Sequence, residues 1–179
     1  MRTLALLLGI ALLVPPPAAA QAFRTRVVDA RNGNPIAGAV ALVGFQSGNK
    51  VGVLGEAVTD ADGWLAFNGD GTRPASELTV YVYKFGYLLW SNVAIFRVPL
   101  GNRPPSGRWG PPGEARQDRE IPDTILIAPF PSNGWRPTHA IYLGLAVDAD
   151  GRHAERPLFW KAIQRELEEA ARQCGSACD

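Results

Sequence analysis

His139 and His153 are the two imidazoles of this 179-residue sequence. A hydrolytic site would gather them with Asp148 and Glu155 in one pocket, an imidazole acting as general base beside carboxylates. A zinc site would need further Asp, Glu or Cys ligands, and no His-x-His or His-x-x-x-His pair starts one. Nucleophilic catalysis needs a Ser or Cys beside a base, and no serine sits in a Gly-x-Ser-x-Gly frame. Both histidines therefore read as surface or interhelical residues. No catalytic, cofactor-binding or metal-ligating residue is assigned, and no cofactor is expected.

Asp60-Ala61-Asp62-Gly63 and Asp148-Ala149-Asp150-Gly151 repeat Asp-x-Asp-Gly, the opening of a calcium loop. An EF-hand needs further oxygen ligands and a distal Glu at fixed positions. Neither run supplies the series, although Glu155 lies near the second. Both read better as turns, because Asp side chains bond their own backbone and Gly takes positive φ cheaply. Trp109 beside Arg108 and Trp135 beside Arg136 stand in Pro/Gly-rich stretches. An aromatic held with an Arg on a rigid loop stacks on a sugar or anchors a partner protein; the alternative is that both indoles tuck under their loops. Cys174 and Cys178 are the whole cysteine inventory. In an oxidising compartment they read as a disulfide, which pins a helix end at about 2 kcal/mol in the chain-entropy picture. Free or intermolecular thiols are the other option.

The compartment follows from the first residues. Met1-Arg2 precedes an apolar run from Leu4 to Val14, a Pro triplet and Ala18-Ala19-Ala20. That is the pattern of a secretory leader, 1–20, cleaved after Ala20, with Ala22 the alternative site, and the run is too short to span a bilayer. Export to the periplasm or the medium is expected, with no membrane span once the leader is removed. Lys and Arg number 18 against 17 for Asp and Glu, so no charge excess drives binding to nucleic acid or anionic lipid.

The elements between these residues are mostly strands. Short β-rich runs start near Phe23, Ile36, Val51, Trp64, Leu78, Leu88 and Thr124, with turn formers between them. Asp60 to Gly63 reads as a hairpin joining the strand that ends at Thr59 to Trp64–Phe67. Leu78 to Lys84 is the strongest strand, with Leu78, Val80 and Val82 on one face and Thr79, Tyr81 and Tyr83 on the other. The Pro/Gly-rich stretch between Pro99 and Asp123 is a long loop. Ala140 to Val147 leans toward a helix, while the alternation of Ile141, Leu143, Leu145 and Val147 leaves a strand open. Pro157 opens an amphipathic helix whose Phe159, Ile163, Leu167 and Ala170 stripe opposes Arg165, Glu168, Glu169 and Arg172, with Leu158 also buried on docking. These elements compose a mainly β chain: a seven-stranded antiparallel Ig-like β-sandwich over 21–129 with a C-terminal helical extension over 130–179.

Three motifs carry a family resemblance. Val28–Val40 contains a Gly turn followed by Pro-Ile-Ala-Gly-Ala-Val, Thr59–Phe67 contains Thr-Asp-x-x-Gly before an alternating strand, and Val80–Tyr87 ends in Gly-Tyr. Together they resemble the carboxypeptidase regulatory-like domain, a transthyretin-like β-sandwich common in exported bacterial proteins. The resemblance covers about Phe23 to Phe96 and implies an accessory, stalk or binding role without an active site. The terminal Tyr-Arg-Gly-Ser of transthyretin-like hydrolases is missing here. The expectation is a non-catalytic module whose partner is an envelope protein or carbohydrate. The alternative is an envelope-polymer hydrolase with a site where the sandwich meets the helical extension.

Overall fold

The computed structural model describes residues 22–47, 50–69, 73, 75–93, 120–132, 134–147 and 155–175. In chain order the elements are β1 (Ala22–Asp29), β2 (Val40–Ser47), β3 (Lys50–Val58), β4 (Trp64–Asn68), a 3-10 turn at Ala75–Glu77, β5 (Leu78–Tyr83), β6 (Trp90–Ser91), β7 (Thr124–Ile127), α1 (Arg136–Val147) and α2 (Pro157–Cys174). They form a three-stranded sheet, β4-β1-β7, and a four-stranded sheet, β3-β2-β5-β6. β1 and β7 pair in parallel, which corrects the expectation of a wholly antiparallel arrangement. Parallel pairing requires a long connection between strands, and β2 to β6 lie between β1 and β7 in the chain. Among the described residues, no helix is long and apolar enough to cross a membrane.

Alternation decides where each strand points. Val27, Leu65, Phe67, Ile125 and Ile127 of the three-stranded sheet share one core with Ala41, Val43, Leu78, Val80 and Val82 of the other. The opposite face of the four-stranded sheet carries Val40, Leu42, Tyr81 and Tyr83, which pack against Leu143 of α1 and Phe159 and Ile163 of α2. β5 is thus buried on both faces along its whole length. Along the outer face of the three-stranded sheet Arg24, Ala66, Asn68, Thr124 and Leu126 are exposed, while Val28 on the same face is buried.

The Asp60–Gly63 turn forms as its chemistry dictates. Asp60 Oδ1 accepts the N–H groups of Asp62 and Trp64 at 3.0 and 2.8 Å, and Gly63 adopts φ 77°. It is not a hairpin, however: β3 pairs with β2, and β4 pairs with β1. The turn carries the chain from one sheet to the other. Thr59 fixes the crossing point, its hydroxyl accepting the Ala39 N–H at 2.8 Å and donating to the Ile36 carbonyl at 2.6 Å. Gly63 completes it, its carbonyl accepting the Val27 N–H at 2.8 Å.

Two further boundaries differ from expectation. β2 begins at Val40 and not at Ile36, because Pro35 makes only an isolated bridge to Val28 and Ile36 to Ala39 are held by Thr59. β6 is only two residues long, and the buried Asn92 side chain takes over where it ends. Its Oδ1 accepts the Val80 N–H and its Nδ2 donates to the Leu78 carbonyl, both at 2.8 Å. A side-chain amide thus satisfies β5 backbone groups that a longer partner strand would have paired.

Ala140 to Val147 is helical, within α1. His139 and Leu143, four apart, are both fully buried, whereas Ile141 lies 62% exposed. The inward spacing is helical, and the alternation of apolar residues merely coincides with it. In α2, Phe159, Ile163, Glu166 and Ala170 are buried. Fully burying Phe159 and Ile163 contributes about 1.5–3 kcal/mol each before entropy. Leu158 stays 45% exposed, contrary to its expected burial, since it precedes the stripe and faces away from the sheet.

Asp29 closes the first turn. Its carboxylate accepts from the Arg31 backbone N–H, Nε and Nη2 and from the Tyr87 hydroxyl. The Arg31 bonds are the main reason its pKa falls to about 2. Because the folded pKa lies below the unfolded value near 3.9, these bonds stabilise the fold fully above that value. Their contribution is lost as pH falls from about 4 through 2. Urea midpoints measured across that window should fall less steeply in Asp29→Asn than in the parent; parallel slopes would show that Asp29 is not responsible.

Candidate functional site

The polar residues best placed for chemistry meet where both helices cross the four-stranded sheet. α1 turns His139 inward one turn from its start, and α2 turns Glu166 inward, two turns on from Phe159. β5 contributes Tyr83, and Leu89, just before β6, contributes its backbone amide. His139 and Glu166 are both fully buried.

Hydrogen bonds fix the protonation pattern. The Leu89 N–H donates to His139 Nε2 at 3.0 Å, so Nε2 carries the lone pair and Nδ1 carries the proton. Nδ1 donates to Glu166 Oε1 at 3.0 Å. Glu166 Oε2 accepts from the Tyr83 hydroxyl at 3.1 Å and from Arg136 Nη1, which forms the ion pair. Burial, reinforced by the neighbouring Glu166 carboxylate, raises the Tyr83 pKa far above the ordinary range, so the phenol stays a donor. One carboxylate and one guanidinium cancel, and the imidazole is neutral.

Aromatic rings wall the cluster. Phe130 lies tilted against the His139 ring, centroids 5.2 Å apart, and the Arg136 guanidinium lies 4.3 Å over Phe130. Gln173 near the end of α2 seals the start of α1, its Oε1 accepting the Arg136 backbone N–H at 2.8 Å while its Nε2 donates to the Gly134 carbonyl. A cavity of about 300 Å³ lined by Arg136, Glu169, Arg172 and Gln173 opens outside this seal.

The chemistry open to this arrangement is narrow. A His–carboxylate pair acts as a base when its second ring nitrogen faces a nucleophile or substrate. Here a backbone amide takes that position. Both imidazole nitrogens, both Glu166 oxygens and the Tyr83 hydroxyl have protein partners, so the cluster works as a clasp joining α1, α2 and β5.

A second clasp holds the start of α2. Glu56 of β3 accepts the Leu158 and Phe159 N–H groups at 3.0 and 2.6 Å, supplying the anion that a helix N-terminus favours. Arg156, the residue before the helix, makes no side-chain cap and is buried. Among the described residues its Nε and Nη1 have no hydrogen-bond partner. A guanidinium stays protonated, and an unpaired buried charge is costly. Arg156→Met should therefore leave the melting temperature unchanged or raise it. A loss above about 2 kcal/mol would mean that the guanidinium is bonded after all.

Of the residues singled out in the sequence, Arg136 and His139 come together in the clasp. Trp135 is half-buried beside it, and Glu155 is exposed before α2. Arg108, Trp109, Asp148, His153 and Cys178 lie outside the described residues, while Cys174 is the last residue of α2. Glu166, Tyr83 and Glu56 do not stand out as members of a site in the sequence alone. Glu166 had a signal: it falls at the centre of the Phe159–Ile163–Ala170 stripe, and a carboxylate there implies a buried partner. Compared with protein-family models, curated proteins and solved structures, the chain matches none.

Proposed function

We propose that this chain is an exported, non-catalytic binding or accessory module of the cell envelope. In this reading it is a transthyretin-like β-sandwich of the carboxypeptidase regulatory-like type, with the two helices as an extension docked on one sheet. The observation that carries the reading is the closure of the His139–Glu166 cluster: both imidazole nitrogens, both Glu166 oxygens and the Tyr83 hydroxyl are bonded within the protein, so among the described residues this pair has no ring nitrogen free to act as a base. The motif positions agree with it. Gly33 and Gly63 both adopt positive φ, and Gly86-Tyr87 lies in the turn that follows β5. Cleavage after Ala20 and a Cys174–Cys178 disulfide belong to the same reading.

The test is crosslinking capture of the leaderless protein in its native envelope, run beside turnover assays on isolated envelope polymers. A saturable partner with no turnover is the expected result. Hydrolysis that disappears in His139→Gln, a variant checked for folding, would overturn the reading in favour of an envelope-polymer hydrolase.

A further inference from the structure

The helices cover one face of the four-stranded sheet, and the outer face of the three-stranded sheet has a distinct chemistry. β1 directs Arg24 and Arg26 outward, two residues apart. β4 pairs Ala66 with Arg24 and Trp64 with Arg26, and β7 pairs Thr124 with Arg26 and Leu126 with Val28. Residues paired across a ladder share a face. The Arg24 guanidinium lies 4.0 Å over the Trp64 ring and that of Arg26 lies 5.9 Å from it. Stacking holds a guanidinium by its face and leaves its N–H edge free. Among the described residues neither Arg24 nor Arg26 is in an ion pair; Arg26 Nε donates only to the Asp62 backbone carbonyl at 3.0 Å. Leu126, 59% exposed, extends the row with an apolar step.

We propose that this face binds an extended acidic segment of a partner protein, with carboxylates at alternate residues followed by an apolar side chain. The proposal rests on the binding-module reading and names its surface. Alternate side chains on a strand repeat at about 7 Å, and an extended peptide has the same period. Successive outward carboxylates of such a peptide therefore meet Arg24 and Arg26 in register, and its next outward side chain meets Leu126. Asp62 and Asp123, whose backbone carbonyls accept from Arg26 Nε and N–H, flank the Arg26 end and repel a ligand there, so Arg24 is the stronger contact.

The probe is a labelled peptide Thr-Glu-Thr-Glu-Thr-Leu-Thr, compared by anisotropy with Glu-Glu-Thr-Thr-Thr-Leu-Thr, which has the same composition but adjacent carboxylates. The full leaderless chain should bind the alternating peptide about tenfold more tightly, with affinity falling as salt rises. Arg24→Glu and the milder Arg24→Gln should weaken binding, the former by at least about tenfold. Lys161→Glu on the exposed side of α2 should change nothing. These side chains point outward, so melting temperatures verify that each variant is folded. Equal affinity for the two peptides, or binding insensitive to Arg24→Glu and Arg26→Glu, would overturn the proposal. So would Arg24-dependent retention on a sulfated polysaccharide without peptide binding, which would reassign the face to a glycan. Should the peptide fail while an envelope partner is still captured by Arg24→Glu, this surface is wrong and the module reading stands.

Discussion

Glu166→Ala should lose about 3–5 kcal/mol of unfolding free energy, the scale expected when one partner leaves a buried ion pair. The substitution removes more than a charge. Arg136 loses its ion-pair partner, the fully buried His139 Nδ1–H loses its acceptor, and the Tyr83 hydroxyl loses the carboxylate it donates to. These groups belong to α1 and β5, so the effect should read out as undocking of both helices and not as local fraying. Tyr83→Phe removes a single bond and should cost only about 1 kcal/mol. Urea denaturation of the two variants checks the ratio. If Glu166→Ala costs no more than Tyr83→Phe, the carboxylate is not the hub of the clasp.

Gly63→Val should be nearly as damaging, by about 2–4 kcal/mol, for two separable reasons. At φ 77° a Cβ strains the backbone, by roughly 1–2 kcal/mol, and a β-branched residue fares worst. The added Cβ would also stand 2.6 Å from the Val27 carbonyl oxygen and 3.0 Å from Pro35 Cβ. Backbone must move to make room, at the point where the chain passes between the sheets. Gly63→Asn separates the causes, because Asn tolerates positive φ but still carries a Cβ. Thermal unfolding should place it between Gly63 and Gly63→Val. An Asn variant as stable as the parent would show that the close approach to Val27 relaxes freely.

Local chemistry was legible in the sequence wherever neighbours along the chain decide it. The alternation of β5, the Asp60–Gly63 turn and the α2 stripe all follow from periods and turn residues. Pairing was less so. Nothing in Thr59–Phe67 says that the strands on its two sides join different sheets, because each partner lies elsewhere in the chain and twist and packing choose it. The same limit hid the clasp. His139 was visible as one of two imidazoles, but its partners are a backbone amide fifty residues earlier and a carboxylate on the next helix. Leu158, one residue outside the Phe159–Ile163–Ala170 stripe, stays exposed, so apolar character alone does not place a residue on the buried face.

The parallel pairing of β1 with β7 also bears on the order of folding. Thr25 donates to the Pro122 carbonyl across 97 residues of sequence, and Phe159 donates to Glu56 across 103. Contacts of such separation must close large loops before they are rewarded, and they slow folding accordingly. Until Thr124–Ile127 arrives, one side of β1 is a bare strand edge open to mispairing. A chain stopped short of Thr124 should therefore aggregate, and refolding of the intact chain should be limited by the docking of its last strand.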